Sequence, residues 1–572
     1  MIMKRILFTI VAAMCCAAMM AAPAKPEPFT HVQSDGTTVT LVMGGGEFNH
    51  SLMTLDGLTV GRDMNGNYCY KAAGSLSDVL AHDAGDRGIE ETAFISAYRS
   101  QMTLGAGRSR LPRREEENPT PQVPTLGSPR IPIILVNYTD VQFVDENPVN
   151  TFENQFNMME YSCLHYFESQ SRGKFSPRFD ILGPVNLPQN RAFYGTNKYI
   201  YGQEVDTQLG TMIYDACMGL PDVDFSNYDN DDDGYVDVVV VLFAGVGEAQ
   251  AWRTVPESVW PCQWDMQESL DWGCSTVGPF ELNGVTIDKY AVFNELEGNN
   301  NYSTTIDGVG TFCHEFGHCL GLPDFYSTVG GGIYGMNAWD IMDVGCYLDN
   351  AHRPCGYTSY ERHFMGWMDL IEPEENTQYF MLPLNTDDGT AVKVTNDANP
   401  DEYYLLDYRV KTDWDEFLPA EGIMILHVDY DKTAWDENTP NNNYNHPRMS
   451  LIPADNVLSS YSNRYDLWPQ GDLDSLTNNS TPPAMVYTGG FMNKPITDMT
   501  VADGVASFWY MKSNVNPYDV NRDGEVNIAD INAVIDHILS GDSTVYPFDV
   551  NGDGEVNIAD VNDIIGVILS GL

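Results

Sequence analysis

The sequence predicts a multidomain α+β protein, and three stretches predict it. One is His314-Glu315-Phe316-Gly317-His318, a short helical pattern with the chemistry of a metal site. A second is residues 371–514, a run of short strand patterns parted by Asn, Asp, Gly and Pro turns, which reads as a β-sandwich domain. The third is an acidic loop that occurs twice near the C-terminal end, each copy running into an apolar helix. At 572 residues the chain is too long for one ordinary domain.

The N-terminal stretch, residues 1–24, reads as a signal peptide. Lys4 and Arg5 precede an apolar run from Ile6 to Met20, and Ala22 or Ala24 offers a small-residue cleavage site. The expected location is therefore secreted, either extracellular or at the cell surface. The run is too short to span a bilayer, and no later stretch is long and apolar enough, so no transmembrane segment is expected. A formal charge of −51, from 81 acidic and 30 basic residues, repels nucleic acid and anionic membrane and excludes both as partners. Beyond the leader lie Cys69 and eight cysteines between Cys163 and Cys355. An even set in an exported chain predicts disulfides, with Cys262–Cys274 and Cys346–Cys355 the short loops to close.

Residues 25–127 read as a propeptide-like domain and linker. A strand is expected over residues 37–43, turns at Gly57 and Gly66, and a helix over residues 88–103. The basic run Arg108 to Arg114 and the Pro-rich stretch after it form an exposed linker suited to proteolytic cutting.

Residues 128–370 hold the metal chemistry. A buried strand is expected over Ile131 to Tyr138, a helix over Phe152 to Phe167, and an apolar strand over Val238 to Phe243. Before that last strand lies a loop with Asp229, Asp231, Asp233 and Asp237 at positions one, three, five and nine, glycine at six and Tyr235 at seven. The pattern is that of a calcium loop, in which position seven offers its peptide carbonyl. Position twelve is Val240, so the closing carboxylate is missing.

His314 and His318, four residues apart on a helix, project from one face and can meet one zinc ion. Glu315 lies beside them, placed to act as a base. Gly321 lets the chain leave the helix, and the turn can return Asp324 as third ligand, leaving a fourth position for water. Asp340 and Glu361 are the fallback ligands.

These residues, with Ile133-Ile134-Leu135-Val136, Tyr166 to Phe175, Trp260-Pro261, Trp339-Asp340-Ile341-Met342 and Gly422 to Asp429, resemble the immune inhibitor A-type secreted metallopeptidases. The resemblance implies a metzincin-like zinc peptidase catalytic domain that hydrolyses proteins or peptides, with His314, His318 and Asp324 on zinc and Glu315 as general base. It also implies a tyrosine after the methionine turn that steadies the oxyanion: Tyr360, or else Tyr357. In residues 371–514, His427 reads as a packed, hydrogen-bonded histidine, and Asn441-Asn442-Asn443 as a surface loop near substrate.

Residues 515–572 carry the repeat. Asp519, Asn521, Asp523, Glu525, Asn527 and Asp530 recur as Asp549, Asn551, Asp553, Glu555, Asn557 and Asp560. Each set supplies calcium ligands at positions one, three, five, seven, nine and twelve, position seven through its carbonyl. The pair resembles a dockerin, which implies a cohesin module as partner. Two other readings use the same features: an inactive binding protein on this fold, and a dockerin-borne carbohydrate-active enzyme. The intact His314, Glu315 and His318 argue against the first. The lack of a second carboxylate pair argues against the other.

Overall fold

The computed structural model describes residues 20–47, 49–72, 75–101, 122–200, 203–329, 334–512, 517–521, 526–541, 547–551 and 553–570. Residues 1–19 of the expected leader, the basic linker Arg108 to Arg114, and the ligand candidates Asp523 and Glu525 lie outside the described residues. The chain divides into two compact units, Met1–Pro373 with Tyr379–Phe508, and Glu374–Gln378 with Trp509–Leu572.

The first unit is built on a six-stranded sheet. Its order is Met20–Ala21, Cys262–Asp265, Lys289–Leu296, Val239–Val246, Arg130–Asn137, Arg178–Asn186. The last four run parallel to one another, and Cys262–Asp265 lies antiparallel beside Lys289–Leu296. Val239–Val246 is buried at every position, as expected for a parallel strand covered on both faces. Alternate residues serve two cores. Ile133, Leu135, Val240 and Leu242 face one that includes Phe312 and Phe316 of the helix Gly310–Cys319. Ile134, Val136, Val239 and Val241 face another that includes Met212 and Ile213 of the helix Leu209–Met218.

The helix Gly310–Cys319 is seated by aromatic contacts. Phe312 meets Phe156 and Phe179 at centroid distances of 4.8 and 5.3 Å, and Phe316 meets Phe167 at 5.2 Å. Edge-to-face pairs of this kind add about 0.5–1.5 kcal/mol each beyond area burial. With Phe312 and Phe316 turned to the core, residues 314 and 318 face away from it.

The antiparallel sheet Ala391–Asn396, Asn399–Arg409, Gly422–Asp429, Met449–Leu451 contributes Leu405, Met424, Leu426 and Met449 to the same core as that helix. Fully buried Arg409 pairs with Asp407 at 3.0 Å and Asp415 at 3.1 Å and donates to the Gly356 carbonyl, tying this sheet to the segment after the helix Gly310–Cys319. His427 Nε2 donates to the Glu402 carboxylate at 2.9 Å, a packed histidine as expected.

Ahead of the central sheet, two three-stranded antiparallel sheets and the helix Ile89–Gln101 enclose a core of Val39, Leu41, Leu58, Val60, Tyr70, Ala81 and Ile95. Cys69 lies buried in this part. Met20 and Ala21, near the end of the expected leader, form the edge of the large sheet, and residues 21–24 are buried.

Three expectations are corrected. The helix over residues 152–167 is two pieces: Met159 is extended, and the Ser162 hydroxyl accepts from the His165 N–H at 3.1 Å to start a new helix, Cys163–Ser171. The Cys262–Cys274 and Cys346–Cys355 disulfides do not form; all nine described cysteines are buried thiols. The triple asparagine is not a surface loop at its start: Asn441 is buried and donates to the Phe325 and Met449 carbonyls at 2.7 Å each.

The second unit pairs two thirteen-residue helices, Ile528–Ser540 and Ile558–Ser570, around Val520, Val534, Val550, Val561 and Ile564. Its position-twelve aspartates are buried and knit their loops. Asp530 accepts from the N–H groups of Asn521 and Asn527 at 3.0 and 2.9 Å, and Asp560 from Val550 and Asn557 at 2.9 Å each.

Candidate active site

The helix Gly310–Cys319 ends in a turn that builds the site. Gly321 sits at φ +95°, which a side chain would resist. Its N–H reaches the His318 carbonyl at 2.9 Å, and the Leu322 N–H reaches the Gly317 carbonyl at 3.1 Å, a Schellman closure. Leu322 then offers its own carbonyl to His318 Nδ1 at 2.8 Å, and Ile341 offers its carbonyl to His314 Nδ1 at 2.7 Å. With each Nδ1 donating to a carbonyl, each Nε2 carries a lone pair.

The turn brings Asp324 to those nitrogens. His314 Nε2 and His318 Nε2 are 3.2 Å apart, and each is 3.3 Å from Asp324 Oδ1. Ligands held about 2.0–2.1 Å from a tetrahedral zinc stand about 3.3 Å from one another, so the triangle fits that ion. Burial alone would raise the Asp324 carboxyl. The two imidazoles facing its Oδ1, His318 foremost, outweigh this and hold the group well below the usual carboxylate range.

Glu315 is fully buried next to this triangle, and neither carboxylate oxygen makes a hydrogen bond of good geometry. Burial first, and then the Asp324 carboxylate, push it well above its ordinary range; the Ala22 peptide group partly offsets this. A buried, unpartnered carboxylate beside a donor triangle is placed to take up a proton rather than to ligate. Met342 lies beneath the helix, where a Cβ on Gly317 would come within 2.6 Å of its sulfur.

The other candidates are placed elsewhere. Tyr360 packs its ring on Phe325, Phe364 and Trp435, and the capped helix Ser359–Phe364 holds it in the core. The Tyr357 hydroxyl donates to the Cys313 carbonyl at 3.2 Å, behind the helix. Asp340 accepts the Met342 N–H at 2.7 Å and faces Glu361, whose carboxylate accepts from Thr358; neither joins the triangle. Asn438 was not visible in the sequence as a site residue. Its amide Nδ2 donates to Asp324 Oδ2 at 2.6 Å, and its Oδ1 accepts the Asp324 N–H at 2.7 Å.

The Asp229 loop gathers Asp229, Asp231 and Asp237 so that one ion can meet a carboxylate oxygen from each. Its backbone bonds match the second C-terminal loop. Asp229 accepts from the N–H groups of Asp233 and Gly234 at 3.0 Å each, as Asp549 does from Asp553 and Gly554 at 3.2 and 2.8 Å. Asp233 accepts from Tyr235 at 2.8 Å, as Asp553 does from Glu555 at 2.9 Å. Asp237 accepts the Asn230 N–H at 2.9 Å, the bond that Asp560 makes to Val550 at 2.9 Å. Asp237 at position nine thus stands where position twelve stands in the C-terminal loop, which accounts for the missing acid at Val240. Burial raises it to about 6, with Asp231 and Asp229 adding to the shift.

Comparison with known proteins gives the same two regions. Residues 135–368 match the catalytic domain of the immune inhibitor A peptidases, family M6, and residues 517–569 match the dockerin type I domain. Immune inhibitor A of Bacillus thuringiensis subsp. alesti is 23% identical over 295 residues, 42% of this chain and 41% of the relative. The pre-pro-metalloprotease PrtV of Vibrio cholerae serotype O1 (strain M66-2) is 25% identical over 251 residues, 40% of this chain and 26% of the relative. The chain thus spans about two fifths and one quarter of the length of these two relatives.

Proposed function

We propose that this chain, which carries an M6 peptidase catalytic domain and a dockerin type I domain, is a secreted zinc endopeptidase made as a latent precursor. The observation that carries the reading is the triangle of His314 Nε2, His318 Nε2 and Asp324 Oδ1 beside the unpartnered Glu315 carboxylate. These three residues would hold zinc, which when bound supplies a Lewis acid and a water of lowered pKa. Glu315 takes the proton from the attacking water and returns it to the leaving nitrogen. A metzincin-type arrangement is supported by the strand Cys262–Asp265, antiparallel to Lys289–Leu296, and by Met342 under the helix.

Latency is supported by the N-terminal part lying against the site, where a Cβ on Gly46 would come within 2.6 Å of the Tyr326 hydroxyl. The name pre-pro-metalloprotease of one relative agrees with this. Cutting in the basic linker would release that part, with a new N-terminus before Ile131. Export is supported by the leader pattern, and no described helix is long and apolar enough to cross a membrane. The three acidic loops would bind calcium, and the dockerin would seat a cohesin module.

Metal analysis with casein cleavage tests the proposal. Purified, matured protein should hold one zinc per chain, lose cleavage in a chelator and regain it with zinc. Cleavage indifferent to chelation would contradict the reading.

A further inference from the structure

The stretch from Met20 to Lys25 is threaded along the cleft as an extended chain. Met20 and Ala21 pair antiparallel with Gln263 and Cys262 of the strand Cys262–Asp265 and so become the edge of the sheet. The Ala22 N–H donates to the Pro261 carbonyl at 3.1 Å, and the Lys25 N–H to the Ala249 carbonyl at 3.0 Å. Trp260 Nε1 donates to the Ala22 carbonyl and the Tyr347 hydroxyl to the Pro23 carbonyl, each at 2.8 Å. Ala21, Ala22 and Ala24 are buried. This is how a sheet edge holds a peptide: main-chain bonds fix its path, and its side chains fit between the walls.

One peptide bond in this stretch lies over the chemical groups. The Ala21 carbonyl accepts from the Tyr326 hydroxyl, and the Ala22 peptide group acts on Glu315. The same hydroxyl neighbours both Asp324 and Glu315. Tyr326 follows Asp324 by two residues, so the turn that delivers the third ligand also delivers this phenol. Gly46 has no side chain where a Cβ would come within 2.6 Å of the hydroxyl, which lets the N-terminal part close over it.

We propose that the Ala21–Ala22 bond, in the chain that still carries its leader, occupies the place of a substrate's scissile bond, and that Tyr326 is a catalytic residue donating a hydrogen bond to the reacting carbonyl oxygen. The inference rests on the peptidase reading above. In hydrolysis, water adds to the carbonyl carbon and the oxygen gains negative charge. Glu315 carries a water proton to the amide nitrogen, the C–N bond breaks, and a carboxylate and an amine leave. The Tyr326 proton stays on the phenol and strengthens its hydrogen bond as the charge develops, so the donor favours the transition state over the bound ground state. Tyr360, buried among Phe325, Phe364 and Trp435, has no such carbonyl before it.

The test is Tyr326→Phe in the zinc-loaded chain, expressed whole and matured by limited proteolysis. A fluorogenic peptide spanning the sequence of residues 19–25 serves as substrate. Removing one oxyanion donor should lower kcat by about 100- to 1,000-fold with KM changed by less than about threefold. Zinc content and melting temperature should match wild type. A phosphinic peptide, which mimics the tetrahedral centre, should lose affinity by the same factor as kcat/KM. Wild-type cleavage with Tyr326→Phe turning over at the wild-type rate overturns the Tyr326 assignment alone. A wild type without chelator-sensitive cleavage overturns the peptidase reading and this assignment with it.

Discussion

Asn438 holds Asp324 from two sides, its Nδ2 on the carboxylate at 2.6 Å and its Oδ1 on the peptide N–H at 2.7 Å. The two residues are 114 positions apart, so the turn after the helix Lys432–Asp436 sets the aim of the proposed third zinc ligand. Loss of such an outer partner costs about 10–100-fold in metal affinity. Asn438→Ala should therefore weaken zinc binding by about that factor, measured by competition with a chromophoric chelator, and kcat should recover in excess zinc.

The Asp229 loop should respond to calcium through the peptidase. A ligand present at about 100 times its Kd stabilises by about 2.7 kcal/mol. Calcium should lengthen the half-life of casein-cleaving activity on heating, and Asp231→Ala should remove most of that gain. Asp231 is the apt choice because its carboxylate is exposed and accepts one backbone N–H, at 3.2 Å, so its loss leaves the loop's other bonds in place.

Acid should weaken the antiparallel sheet through Glu402. This carboxylate accepts from Asn396 at 3.0 Å, Tyr487 at 2.5 Å and Thr488 at 3.0 Å, and pairs with His427 at 2.9 Å. Burial opposes its charge, but the His427 bond and the two backbone N–H groups prevail and lower it from 4.5 to about 2. A depressed carboxyl contributes stability that is complete above its unfolded value and is lost as pH falls toward the folded one. Wild type should thus lose stability between about pH 5 and pH 2 from this group. Glu402→Gln should be less stable at pH 7 and show a shallower fall over that window in thermal melts.

The C-terminal segment, residues 517–572, is too small for a generous core and should depend on its ions. In circular dichroism the isolated segment should be largely unfolded in chelator and gain helix with calcium. Asp519→Ala with Asp549→Ala should abolish the gain. Helicity indifferent to calcium would contradict the assignment of these loops.

Much of the site was legible because its geometry is local. Helical spacing fixes His314 and His318, and Gly321 with Asp324 follows from how a helix ends. What was not legible depends on distant contacts. Asn438 reaches the site through the fold alone. The sequence does not single out Tyr326, because the contact of its hydroxyl with the Ala21 carbonyl exists only in the fold. Position twelve is Val240 and carries no acid because Asp237, at position nine, turns back to the Asn230 N–H, a contact that loop spacing does not reveal. The even count of cysteines said nothing of their burial as thiols. The single helix expected over residues 152–167 ignored Ser162, whose cap restarts the chain.

The most direct measurement pairs zinc content with turnover in Glu315→Ala and His318→Ala. If Glu315 is the base and His318 a ligand, Glu315→Ala keeps stoichiometric zinc and loses casein cleavage by several orders of magnitude, about 10⁴-fold or more, while His318→Ala loses both. A Glu315→Ala protein that cleaves at the wild-type rate, or a His318→Ala protein that retains tightly bound zinc, would contradict the account.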